Sequence, residues 1–237
     1  MKLPDKVPFQ DIIEAFLQLF ATEKGRQFAE RTVMKFAEKY YRKIESTKQA
    51  ESEESPNIRV AKEVFAQALY TDEDITQEYL ASILASSRSS DGKDESMLWF
   101  LGLIRNLSAK QLHLHFLIYR AYHELCLGTN LNIQDGKEIQ SKSLYLDHKE
   151  VHQLTQIKFS DFSSYFQVLF RSGLIRNYTH TPSADLLWVK PTTLGFELYA
   201  IACNKYEARN FIFHSNYQFD NPLSIEVLKN ISLQPPE

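Results

Sequence analysis

Only two cysteines, Cys126 and Cys203, occur among the 237 residues, too few and too far apart for the disulfide framework that staples small secreted domains. Both sit in apolar helical patterns and read as reduced, buried thiols. Glycine is scarce as well, at seven residues, and neither a glycine-rich phosphate loop nor a nucleophile elbow can be picked out. An excess of positive charge is missing: 27 basic against 30 acidic residues leave a formal charge of -3, which removes the general attraction of a basic protein for nucleic acid or anionic membrane. Nor is there a long hydrophobic run. The opening MKLPDKVPFQDIIEAFLQLF is interrupted by Asp11, Glu14 and Gln18, so it fits neither a signal peptide nor a membrane span, and the expected location is cytoplasmic.

What is present is a large supply of core material, 43% hydrophobic with 13% aromatics, in mostly helical patterns. Phe9, Ile12, Ile13, Phe16, Leu17 and Phe20 recur at helical spacing. Thr22 then suits the N-cap of a longer helix with Phe28, Met34, Ala37, Tyr41 and Ile44 on its dry side and Glu30, Lys35, Glu38 and Lys39 on its wet side. Residues 46–57 are polar and acidic and read as a linker or frayed helix end. Beyond them Ile58, Ala61, Val64, Phe65, Ala68 and Leu69 mark another helix.

In TDEDITQEYLASILASS, Thr71 is the expected N-cap, and Asp72, Glu73 and Asp74 favour the positive end of the helix dipole. Ile75, Tyr79, Leu80, Ile83 and Leu84 form its apolar face. MLWFLGLIRNL is apolar almost all round and predicts a central buried helix. SAKQ, from Ser108 to Gln111, is a capping-box pattern that starts the next helix.

The last third changes character. Asp135-Gly136 lies between two short runs and predicts either a hairpin turn or an ordered loop. SDFSSYFQVLFRSGLIRNY predicts a helix capped at Ser160 and ended by a left-handed Gly173 with Leu174 as its hydrophobic contact. LIRNY, THTPSAD and LLWVKP predict a hairpin, and TTLGFELYAIACNKY a helix capped by Thr192 or Thr193. Helix, helix, hairpin, helix is the order of a winged-helix unit.

Such a unit raises the possibility of DNA contact through residues 163–172 and through Arg171, Arg176, His180 and Lys190. The cations are few for phosphate binding, so protein contact is the favoured reading. His148 and His152 stand four apart, as zinc ligands often do, but Glu150 does not follow the first histidine directly and no third ligand is evident. His123 with Cys126, and Asp72 with Asp74, likewise lack the rest of a metal site. No metal, cofactor or catalytic residue is assigned, and the reading leans away from an enzyme.

PNIRVAKEVFAQALYTDEDITQEYLASILASS, a polar break, and MLWFLGLIRNLSAKQLHLHFLIY together resemble the Abi-alpha family, bacterial proteins named for abortive infection by phage. Gln77, Glu78, Ile83, Leu84 and Ala85 keep its "lqe-W-A-x-LLA" helix, with Tyr79 and Leu80 in place of tryptophan and alanine. IRNLSAK stands where "LKQLSP" is usual, Ala109 replacing the proline. TTLGFELYAIAC is similar to the "LT-x-LG-x-x-F-x-x-AC" ending. The resemblance implies antiphage defence and supplies no catalytic residues. The expected architecture is mainly α: amphipathic helices in 1–50, a helical core in 56–127, a winged-helix-like unit with a short β-hairpin in 145–215 and a tail in 216–237. The expected partner is another protein or a second copy.

Overall fold

The computed structural model describes residues 22–45, 54–129, 131–181, 185–214 and 226–233, with positions 14 and 18 besides. The chain is mainly helical with small antiparallel sheets and divides into two units, Met1–Arg105 and Asn106–Glu237. The helix expected over residues 9–20 lies outside the described residues, apart from Glu14 and Gln18.

In the first unit, α1 (Glu23–Glu45) begins where the sequence predicts, with the Thr22 hydroxyl accepting the Gly25 amide at 3.1 Å. Its packed face differs from the predicted one. Ala29, Val33, Phe36, Ala37, Tyr40 and Ile44 are buried, while Phe28 is half exposed. Thr32 and Lys43 occupy buried positions on the same side, so polar letters disguised the true stripe.

A two-residue ladder pairs β1 (Ser55–Pro56) with β2 (Arg88–Ser89). Between them, α2 (Ile58–Ala68) is capped by Asn57, whose side chain accepts the Arg59 and Val60 amides. Ile58 turns outward, and Val60 joins Ala61, Val64, Phe65, Ala68 and Leu69 inside. α3 (Asp74–Ser86) starts three residues after Thr71: Glu73 is the N-cap and makes no side-chain cap bond, and the Thr71 carbonyl accepts from the Gln77 amide group at 2.9 Å.

The five apolar residues predicted to face inward from α3 do so, and Gln77, Glu78, Ala81, Ser82 and Ala85 are buried with them. α3 is therefore enclosed nearly all round. The prediction of a central buried helix at MLWFLGLIRNL is corrected: α4 (Met97–Arg105) buries Met97, Phe100, Leu101 and Ile104 but leaves Trp99 63% exposed. Apolar letters on every side did not decide which helix lies innermost.

The second unit opens on α5 (Ala109–Cys126), whose capping box is complete: Ser108 Oγ accepts the Gln111 amide and Gln111 Oε1 accepts the Ser108 amide. Asp135-Gly136 forms neither a hairpin turn nor a loop. Asp135 accepts the Lys137 and Glu138 amides and caps a short helix, α6 (Gly136–Ser141). Next come β3 (Leu144–Asp147), α7 (His148–Thr155), a 3-10 turn (Phe159–Asp161) and α8 (Phe162–Arg171). Ser160 is not the predicted cap, since its hydroxyl donates to the Asp161 carboxylate.

The end of α8 follows the sequence closely. Gly173 takes φ +72°, its amide bonds Phe170 O at 3.0 Å and the Leu174 amide bonds Leu169 O at 2.9 Å, the paired closure of a Schellman motif. Leu174 is buried and directs the chain into β4 (Ile175–Thr181), which pairs with β5 (Leu186–Pro191). Thr192 then caps α9 (Thr193–Ala202), accepting the Gly195 amide at 3.0 Å. A 3-10 segment (Tyr206–Phe211) follows, and β6 (Ile231–Ser232) completes an antiparallel sheet of order β4-β5-β3-β6.

Candidate interaction surface and its buried supports

α8 is strongly two-sided because Phe162, Phe166 and Leu169 recur at helical spacing and are buried. The opposite side presents Ser163, Ser164, Phe170 and Arg171, with Gln167 between the two faces. Tyr178 of β4 stacks on Phe166 with ring centroids 5.4 Å apart, and its hydroxyl donates to Gln167 Oε1 at 2.9 Å. The result is a shallow groove lined by Ser163, Gln167, Phe170, Asn177, Tyr178 and Thr179. It contains no charged group, and Phe170 at its margin is 44% exposed.

The residues predicted for nucleic-acid contact are dispersed. Arg171 is exposed at the end of α8 and Arg176 is exposed near the base of the hairpin. Lys190 pairs in register with Asn177 and places its ammonium 5.4 Å from the Trp188 ring centroid. His180 pairs with Leu187 toward the turn, about 10 Å along the strand from Asn177 at the rise of extended chain. The side chain of His180 lies outside the described residues.

Beneath this surface, α5 and α9 meet through buried polar groups. The Tyr119 hydroxyl donates to Leu174 O and accepts the Thr192 amide at 3.0 Å. His115 Nε2 lies 3.1 Å from Gly195 O, so that nitrogen carries the proton. Tyr199 places its hydroxyl 3.2 Å from His123 Nδ1. Burial pushes His115 down to about 3. Burial, then the Arg120 charge, pushes His123 down to about 4. Both rings are neutral at physiological pH, which suits packing and hydrogen bonding better than proton transfer to a solvent-borne substrate. Burial also pushes the Cys126 thiol up to about 11, and both cysteines are buried thiols outside any disulfide, as expected.

The first unit contains a buried charge cluster that sequence reading did not find. Glu78 of α3 is 1% exposed and receives Lys39 at 3.0 Å, Arg42 at 2.5 Å and Lys43 at 2.9 Å, all from α1. Asp74 receives Lys35 and Lys39. The available signal was a pairing of patterns: cations at positions 35, 39, 42 and 43 share one side of α1, and carboxylates at 74 and 78 share one side of α3.

His148 and His152 do share a helix. His148 is buried against Phe159 and Phe162, with ring centroids at 4.2 and 4.8 Å, and His152 Nδ1 lies 2.6 Å from Ile157 O. Among the described residues, no three His, Cys, Asp or Glu side chains are grouped so that they could hold a metal ion. No described helix is long and apolar enough to cross a membrane.

Comparison with known proteins gives one family match and no similar curated protein or solved structure. The match, to the family described as abortive infection alpha, runs over residues 29–208. It takes in Glu78 with its cation partners, the Ser108 capping box, the α8 face, and Gly195 beside Tyr119. With about three quarters of its length matched in this way, the chain belongs to the abortive infection alpha family.

Proposed function

We propose that this protein acts in bacterial defence against phage by abortive infection, and that it does so from the cytoplasm, without catalysis, by binding a protein partner or a second copy of itself. Family membership supports the defence role. The observation that carries the mode of action is the outward side of α8: Phe170 stands exposed with Ser163 and Gln167 along an uncharged groove. Exposed aromatics next to neutral polar groups suit protein interfaces, where the fully buried centre of a patch is depleted of charge and enriched in aromatics.

The succession of β3, α7, α8, the β4-β5 hairpin and α9 supports reading residues 145–215 as a winged-helix-like unit, with α8 where a DNA-reading helix would lie. A DNA-reading role would call on Arg171, Arg176, His180 and Lys190. Duplex affinity is driven largely by neutralised phosphates, and the face of α8 offers Arg171 alone, so the same geometry serves protein contact better.

Light scattering of the purified protein, paired with affinity capture from phage-infected cells, tests the reading. A mass above that of one chain, or a specific captured protein, both reduced by Phe170→Asp in a folded variant, is the expected result. A strictly monomeric protein with no captured partner contradicts it.

A further inference from the structure

The outer edge of β3 is covered by a short late segment. Tyr145 and Leu146 pair with Ser232 and Ile231, Leu228 is buried, and the Asp147 amide donates to Asn230 O at 3.2 Å. One carboxylate also holds two amides of the segment. Glu150 Oε1 accepts the Lys229 amide at 2.8 Å and Oε2 accepts the Asn230 amide at 2.9 Å.

Glu150 has a second use available. Asp147 caps α7 by accepting the Glu150 amide at 2.8 Å, and Asp147-His148-Lys149-Glu150 has the spacing of a capping box. In that arrangement the Glu150 carboxylate turns back to accept the Asp147 amide, the very group that loses Asn230 O when residues 228–232 leave. Departure of the segment therefore leaves the start of α7 satisfied. What it exposes is the main chain of Tyr145 and Leu146, an open strand edge that takes up another strand readily.

We propose that residues 228–232 are an exchangeable strap, and that on assembly the strap of a second copy takes this place on β3. The occupant follows from what is seated there: another copy presents the same two amides to Glu150 and the same Ile231 and Ser232 to β3, at no change of register. Exchange of an identical element is a low-cost route to a dimer. This names the partner within the self-association reading above and rests on it.

Mixed-chain disulfide trapping tests the exchange. One full-length chain carries Tyr145→Cys and a differently tagged chain carries Ser232→Cys, the two positions being direct partners across β3 and β6. A chain carrying both substitutions is the reactivity control, since it closes a bond within itself. After co-incubation and oxidation, a disulfide-linked mixed dimer at twice the chain mass is expected. Adding Glu150→Ala should speed its appearance about tenfold or more, as expected for loss of hydrogen bonds to a charged group. If the control closes and the wild-type protein self-associates, yet no mixed dimer forms, the exchange is overturned while the self-association reading stands. A protein that stays monomeric and captures no partner overturns both.

Discussion

The Tyr119 hydroxyl occupies the space that a β-carbon on Gly195 would fill, and Leu174 O borders the same space. Gly195 is thus required by close approach, since its φ is not in the left-handed region. It lies in the first turn of α9, where the absent side chain lets α5 and the chain leaving α8 converge. The glycine of TTLGFELYAIAC has a packing reason.

Gly195→Ala should destabilise the second unit by about 1–3 kcal/mol or more, the range for overpacking a dense core. Urea unfolding reads this as a lowered midpoint. An unchanged midpoint would mean that α5 and α9 separate more easily than the geometry indicates.

Glu78→Ala should cost about 3–5 kcal/mol, because it removes the buried carboxylate that receives the Lys43 ammonium, itself 5% exposed. Arg42→Ala should cost at most about 1 kcal/mol, as its side chain is 59% exposed and water screens the pair. Equal losses from the two substitutions, measured by urea unfolding, would contradict the assignment of Glu78 as the centre of the cluster.

Acid should weaken the second unit in a defined window. His115 and His123 have pKa values depressed to about 3 and about 4 in the folded chain, against about 6.5 when unfolded. Between those values the unfolded chain binds protons that the folded chain does not, so stability is full above about pH 6.5 and falls as pH drops toward the folded values. His123→Gln should flatten the fall between pH 6 and 4 by up to one proton's worth of slope, about 1.4 kcal/mol per pH unit. Urea midpoints collected across that range provide the comparison.

Thiol labelling at pH 8 should be slow in the native protein and rapid for two thiols in denaturant, because Cys126 and Cys203 are buried and Cys126 is pushed up to about 11. Fast native labelling of Cys126 would show that the end of α5 opens.

Much of the fold was legible where local chemistry decides it. The Ser108 box, the Gly173 and Leu174 closure, the hairpin and the Thr192 cap depend on residues within a few positions of one another, and the structure has all four. The misses depend on distant partners. Lys43 is buried because Glu78 is there to receive it, which turned the face of α1 away from Phe28. Trp99 is exposed because α3, rather than α4, is the enclosed helix. Asp135-Gly136 offers a turn signal that a helix start can also use, through the Asp135 cap. The neutral groove beside Phe170 was legible only in part: the shortage of cations was visible in SSYFQVLFRS, whereas the contribution of Tyr178 required the strand to fold back on α8.

Phage challenge of cells expressing the wild-type protein, the folded Phe170→Asp variant or an empty vector, with culture survival followed at low and high phage dose, reads out defence through the α8 face. Wild-type protection at low dose, collapse at high dose and loss of protection with Phe170→Asp are expected. Soluble, expressed wild-type protein that protects against no phage in a broad panel, or a Phe170→Asp variant that protects as well as wild type, would contradict this reading.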